Sequence, residues 1–129
     1  MIAINKYTYI EKKEFIDMYS KLYKIEDDSL ISIIEENNKP LGFIIIKLNN
    51  DTAILEELFI KKDYRHKSFG DGLLRAALNS LRFKGINRIN YLGECKYLLN
   101  KGFSKDENVL KCDIEKFFSN CQCSKGGKN

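Results

Sequence analysis

The run Arg65-His66-Lys67-Ser68-Phe69-Gly70-Asp71-Gly72 carries two cations and the chain's single histidine straight into a turn with two glycines. A helix that begins here leaves its first backbone N–H groups unpaired, and that end carries partial positive charge. Gly70 and Gly72 have no side chain to hold a ligand away, so a phosphate can come close to those groups. Upstream stand two adjacent carboxylates, Glu56 and Glu57. Neighbours on a strand point to opposite faces, so only one of the pair is expected to face a cleft beside the turn. A carboxylate partly withdrawn from water holds its proton more tightly, and such a group can serve as a base for an amine.

Metal chemistry has weaker support. Four cysteines, Cys95, Cys112, Cys121 and Cys123, lie outside the basic turn. Reduced thiols are the default for a cytosolic chain. The Cys-Gln-Cys segment could clip a soft metal or form a redox pair, but two thiolates do not complete a zinc site and no second ligand pair follows. No metal is expected.

Three elements must position these groups. Residues 54–60 are rich in Ile, Leu and Phe, which suits a mostly buried strand. Leu74, Ala77, Leu78 and Leu81 fall at i, i+3, i+4 and i+7, one apolar helix stripe. Between strand and helix lies the basic turn, so the three together form an anion cradle. Before them, residues 3–10 read as a strand and residues 11–23 as a helix with Phe15, Met18, Tyr19 and Leu22 on its apolar side. Residues 29–35 and 41–48 form a hairpin across the turn at residues 36–40, and Asn49-Asn50-Asp51 turns into the motif strand. After the motif helix, Gly85 is a stop signal. Residues 86–92 then form a strand parallel to the motif strand by a right-handed crossover. A short helix over 95–101, a stop at Gly102 and an antiparallel pair from Phe103 to Ile114 complete the domain. Residues 1–117 are read as one domain, and residues 118–129 as a frayed Cys-containing tail.

The stretch L-E-E-L-F-I-K-K-D-Y-R-H-K-S-F-G-D-G-L-L resembles the acetyl-CoA motif of the GNAT N-acetyltransferase superfamily. Arg65 matches the motif's opening basic residue and Gly70 its last glycine, whereas Ser68 stands where the first glycine is usual. Leu55-Glu56-Glu57-Leu58-Phe59-Ile60 is similar to the corresponding run of the polyamine and diamine acetyltransferase branch. The resemblance implies an α+β fold, a single GNAT-like domain whose mixed central sheet of about six to seven strands is flanked by helices. It further implies that the motif strand and the next parallel strand splay, with the pantetheine arm of acetyl-CoA in the gap. Leu58, Phe59 and Ile60 would then offer backbone groups to pantetheine. Arg65, His66, Lys67, Ser68, Phe69, Gly70, Asp71 and Gly72 would hold the pyrophosphate.

Acetyl transfer to a primary amine, the activity implied by the resemblance, needs a base, hydrogen-bond donors for the thioester oxygen, and a donor for the leaving thiolate. Glu56 matches the acid that serves as base in the polyamine branch. The family's tyrosine near the sulfur is harder to match. Counting back from Gly102-Phe103 puts Leu98 at its position and Tyr97 one place earlier, a helical rotation of about 100°. Tyr97 is the candidate acid, and the connection leading to it is shorter than usual. The expected function is therefore an acetyl-CoA-dependent N-acetyltransferase acting by direct attack in a ternary complex. One alternative is a regulatory module that holds acetyl-CoA or CoA without turnover. A thiol or metal sensor built on Cys121 and Cys123 is another.

A chain of 129 residues suits one domain with one core. The net charge of +4 helps draw in an anionic cofactor without arguing for nucleic acid. No apolar run approaches the ~20 residues of a membrane span, and no signal-peptide pattern opens the chain, so a cytoplasmic enzyme without membrane partners is expected. The edge strands at the C-terminal side would allow a homodimer.

Overall fold

Alternating apolar runs separated by Asn-rich turns produce a meander. In the computed structural model, Ile2–Tyr7 (β1), Leu30–Glu36 (β2), Lys39–Asn49 (β3) and Thr52–Ile60 (β4) pair antiparallel in succession. The β2–β3 turn is Asn37-Asn38, both left-handed at φ 53° and 71°, the conformation whose twist matches the flanking strands. Arg88–Leu92 (β5) adds in parallel to β4. Ser104–Asp106 (β6) and Val109–Asp113 (β7) close a seven-stranded mixed sheet in the order β1-β2-β3-β4-β5-β7-β6. This is the expected α+β domain. The structure describes residues 1–123, with side chains to residue 119. The Cys121 and Cys123 thiols therefore lie outside the described side chains.

Helices cover both faces. Lys13–Tyr19 (α1) covers one, burying Ile16 with Ile31, Ile33, Phe43 and Ile45 of the sheet. Phe69–Phe83 (α2) covers the other, with the expected stripe of Leu74, Ala77, Leu78 and Leu81 buried and Leu73 added to it. Each fully buried leucine there contributes about 1.5–3 kcal/mol. Lys96–Asn100 (α3) and Ile114–Cys123 (α4) follow on the α2 side, where Leu98, Ile114 and Phe117 join the same core. No helix among the described residues is long and apolar enough to cross a membrane.

Two expectations are corrected. The helix read over 11–23 is a short 3₁₀ turn at Ile10–Lys12 followed by α1, and it ends before Ser20, whose backbone is extended. Phe15, Tyr19 and Leu22 pack on the sheet as read, but Met18 is 70% exposed and the fully buried Ile16 takes the central place. At the other end, α4 runs through the boundary expected at residue 117. Ile114, Phe117 and Phe118 recur at helical spacing, the two phenyl rings meet edge to face, and Asp113 Oδ1 accepts from Lys116 N at the helix start.

Gly42 decides whether β3 and β4 can approach. It faces Ile60 across the ladder, and a Cβ there would overlap the Phe59 carbonyl oxygen and lie 2.6 Å from Ile60 Cδ1. Backbone cannot yield as a side chain end can, so Gly42→Ala is expected to destabilise by about 3 kcal/mol or more. Urea unfolding would measure this, and a midpoint within error of wild type would refute it.

Candidate active site

A gap opens in the sheet where β4 and β5 part. Their parallel pairing spans only Thr52–Ile54 with Arg88–Asn90. Beyond it β4 continues against β3 to Ile60, while β5 continues against β7 to Leu92. The parting coincides with a bulge. Ile45 faces Glu57 and Ile46 faces Leu55, so Glu56 is the extra residue on β4. Side-chain parity flips across it: Ala53 and Leu55 before the bulge, and Leu58 and Ile60 after it, all reach the α2-side core. The expectation that only one of the adjacent acids faces the cleft is thereby corrected. Glu56 and Glu57 both line one cavity of about 910 Å³ in the gap.

The two carboxylates are in different states. Glu57 is engaged: Ser20 Oγ donates to its Oε1 at 2.6 Å and the Lys21 backbone N–H to its Oε2 at 2.9 Å. Glu56 Oε1 is buried without a hydrogen-bond partner among the described residues. Burial raises the Glu56 pKa, Lys47 opposes the rise, and Glu26 and Glu57 add to it.

Backbone groups of β4 line the gap. Lys61 N bonds to Leu41 O, so by alternation the Phe59 backbone turns toward β3, while those of Leu58 and Ile60 turn toward the opening. One of these is already used, since Arg65 Nε donates to Ile60 O at 2.8 Å. The Arg65 guanidinium also lies 5.9 Å from the Phe59 ring centroid.

The cradle itself is the start of α2. Gly72 N bonds to Ser68 O, which leaves the N–H groups of Phe69, Gly70 and Asp71 without an intrahelical acceptor, and the Ser68 side chain does not cap them. His66 and Ser68 adopt left-handed φ of 67° and 66°, so Ser68 takes up a conformation that glycine adopts at no steric cost. Gly70 and Gly72 have ordinary helical φ and matter for space instead. A Cβ on Gly70 would lie 3.4 Å from Tyr97 Oη, and one on Gly72 would lie 3.6 Å from Ile4 Cδ1. Arg65, His66, Ser68, Gly70 and Asp71 border the cavity, but Lys67, Phe69 and Gly72 do not. Lys67 Nζ sits over the Tyr64 ring, on which the Phe69 ring also stacks.

Asp71 is turned away from the repulsive role open to it. Arg75 Nε approaches its Oδ2 at 2.8 Å and Lys101 Nζ its Oδ1 at 3.0 Å, which ties α2 to the end of α3. Burial raises the Asp71 pKa, but the hydrogen bonds from Arg75 and Lys101 outweigh it and hold the carboxyl below its ordinary range. Lys101 also lies 5.5 Å from the Tyr97 ring centroid. Tyr97 and Leu98 both border the cavity, but Leu98, at the position matched by counting, is buried in the core. Burial, then Asp71 and Cys95, push the Tyr97 phenol up to about 12, with Arg75 opposing.

The cavity is completed by residues that sequence reading missed. Tyr19, Lys21 and Leu22 come from the end of α1 and the loop after it, and Tyr91, Cys95 and Lys101 from the β5–α3 side. Local periodicity marks Tyr19 and Leu22 as apolar but not as cavity lining; tertiary contacts with β4 bring the first three in, Tyr19 by stacking on Phe59 at 4.6 Å. Among the described residues no group of three or more His, Cys, Asp or Glu is placed to hold a metal ion.

A sheet split beside a helix N-terminus narrows the comparison with known proteins, and the model of the acetyltransferase (GNAT) family matches residues 3–102. The chain belongs to that family. Among curated proteins it is similar to an uncharacterized N-acetyltransferase of Methanocaldococcus jannaschii, 27% identical over 90 residues, 64% of this chain and 39% of that one. Streptothricin acetyltransferase A of Bacillus subtilis is 35% identical over 83 residues, 56% of this chain and 47% of that one. This GNAT chain thus spans less than half the length of either relative. Among solved structures, the PaiA N-acetyltransferase of Thermoplasma acidophilum in complex with coenzyme A has a TM-score of 0.68 at 20% identity, covering 88% of this chain and 99% of that one. The N-acetylglutamate synthase of Neisseria gonorrhoeae complexed with coenzyme A and L-arginine has a TM-score of 0.75 at 15% identity, covering 87% of this chain and 33% of that one. At these identities the likeness is one of fold.

Within this GNAT fold, the left-handed Ser68 is a site of strain of about 1–2 kcal/mol. Ser68→Gly is expected to relieve it, with the entropy of the unfolded chain offsetting part, for a net gain of about 0.5–1 kcal/mol. Thermal unfolding of Ser68→Gly beside Ser68→Val, expected to lose stability, checks the sign; the opposite order would contradict the strain.

Proposed function

We propose that this chain is an acetyl-CoA-dependent N-acetyltransferase in which a primary amine attacks the bound thioester directly. The observation that carries the reading is Glu56 Oε1, buried without a hydrogen-bond partner among the described residues, in one cavity with Tyr97 and the start of α2. Pantetheine would lie along β4 against the outward backbone of Leu58 and the N–H of Ile60. The pyrophosphate would meet the free N–H groups of Phe69, Gly70 and Asp71 at the positive end of α2. Arg65 borders the same space and would add a charge-assisted contact. The coenzyme A bound to the Thermoplasma and Neisseria structures supports the same cofactor here.

In the step itself the amine nitrogen bonds to the thioester carbon, Glu56 takes the nitrogen's proton as it becomes acidic, and the C–S bond breaks. The thiolate leaves toward Tyr97. A phenol pushed up to about 12 by burial and Asp71 is a poor proton source for a thiolate. Tyr97 therefore serves as a hydrogen-bond donor to the sulfur, and solvent supplies the proton. The Leu55–Ile60 likeness to the diamine branch supports small primary amines, diamines included, as acceptors. Of the two acids only Glu56 is free to meet an ammonium group.

Calorimetric titration of acetyl-CoA followed by thiol release against an amine panel tests the reading, and failure to bind acetyl-CoA would end it. Given turnover, Glu56→Gln should lower kcat by roughly 10²–10⁴ with acetyl-CoA affinity kept, and Tyr97→Phe by a smaller factor of about ten. The acid limb of the wild-type rate profile reports Glu56. The base works deprotonated and burial raises its pKa, so activity should rise with pH through a midpoint above the ordinary carboxylate value. A limb at or below that value, or one that persists in Glu56→Gln, would show that another group is the base.

A further inference from the structure

The acceptor side of the cavity is held by Glu57 and not only by packing. Residues 19–21 are docked in succession on β4. The Tyr19 ring stacks on Phe59 at 4.6 Å, Ser20 Oγ donates to Glu57 Oε1 at 2.6 Å, and Lys21 N donates to Glu57 Oε2 at 2.9 Å. Ser20 Oγ in turn accepts from Leu22 N at 3.1 Å, which turns the chain so that Lys21 and Leu22 border the cavity. Glu57 is thus the hub of the segment where α1 ends and the wall facing Glu56 begins. Glu57 lies opposite Ile45 on the face that α1 covers, and it borders the same cavity as Glu56.

We propose that Glu57 is a positioning residue for the amine acceptor. It fixes the loop after α1 so that Tyr19, Leu22 and Phe59 form an apolar wall beside the Glu56 carboxylate, and it takes no proton itself. The inference rests on the acetyltransferase reading above. The acceptor class it favours is a primary amine with an apolar body: the amine meets Glu56, the body lies on the Tyr19–Phe59 pair, and Glu57 is already occupied by two donors. The hydrogen bonds that Glu57 accepts come from Ser20 and Lys21, and the start of α2 supplies neither of them.

The test compares Glu57→Gln and Ser20→Ala with wild type in three measurements on the full chain: acetyl-CoA Kd by calorimetry, initial rates over amine concentration at saturating acetyl-CoA, and amide exchange at Lys21 and Leu22. Glu57→Gln keeps one acceptor but sets an N–H₂ group against a donor, so amine KM should rise by roughly tenfold, the loss of about one charge-assisted hydrogen bond. Acetyl-CoA Kd and kcat should stay within about threefold, the pattern of lost ground-state binding, and the Lys21 and Leu22 amides should exchange faster. Ser20→Ala, a milder change that keeps the Lys21 bond, should move amine KM in the same direction by less, and amines with apolar bodies should lose more than ethanolamine. Unchanged amine KM, or kcat and acetyl-CoA affinity falling along with it, would overturn the positioning role while leaving the enzyme reading intact. A wild-type chain that binds acetyl-CoA and acetylates no amine overturns the enzyme reading and this inference together.

Discussion

Everything at this site depends on β4 serving two masters for only part of its length. Through Ile54 the strand pairs on both sides, and past the bulge at Glu56 it pairs with β3 alone. A strand in the middle of a sheet that lacks a neighbour leaves N–H and C=O groups with no ladder partner, and such groups are costly to bury unsatisfied. Leu58 and Ile60 carry them here. The gap is therefore a receptor shaped for something strand-like with amides of its own, the recognition mode by which an extended segment adds to a sheet edge. The bulge supplies the added twist that parts the strands and, in the same residue, the free carboxylate that faces what enters.

The cradle below the gap is held against local preference. His66 and Ser68 are both left-handed without being glycine, and each such residue costs on the order of 1–3 kcal/mol. Helix α2 buries Leu73, Leu74, Ala77, Leu78 and Leu81, and at about 1.5–3 kcal/mol for each fully buried leucine this outweighs the strain. Core packing thus fixes a loop whose own residues would relax elsewhere. Strain held in this way fixes beside the cavity a helix start whose first N–H groups have no intrahelical acceptor.

Much of this was legible in the sequence because it is local. The apolar stripe of α2, the Asn turns, the stops at Gly85 and Gly102 and the parallel placement of β5 follow from period, turn chemistry and crossover handedness, and each has its counterpart in the structure. The failures are equally physical. Strict alternation sent Glu56 and Glu57 to opposite faces, and a bulge, which leaves no mark in a run of Leu, Glu and Phe, put them together. Periodicity extended α1 past Ser20, where a hydrogen bond to a residue of β4 ends it. Tyr19 and Leu22 were legible as an apolar face but not as a cavity wall, because nothing near them or Lys21 in the chain says that β4 is their partner. The helix at Ile114–Cys123 follows strand β7 directly, with no glycine or proline turn between them to mark its start.

The two halves of the site are joined through one small contact. Tyr97 Oη stands 3.4 Å from where a Cβ on Gly70 would be, so Tyr97 and the start of α2 share a surface. Asp71, one residue on, holds Lys101 by an ion pair, and Lys101 covers the Tyr97 ring. A carboxylate that would repel a phosphate if it faced the cavity is thereby spent on bringing α3 against α2. That explains how a tyrosine displaced by one place from the usual pattern still reaches the cavity. The five-residue α3 is too short to set its own rotation by packing on Leu98 alone, and the Asp71–Lys101 pair supplies a second point of attachment, from the cradle itself. In the proposed enzyme, cofactor grip and placement of the sulfur-side donor would then both follow from one turn of chain, residues 68–71.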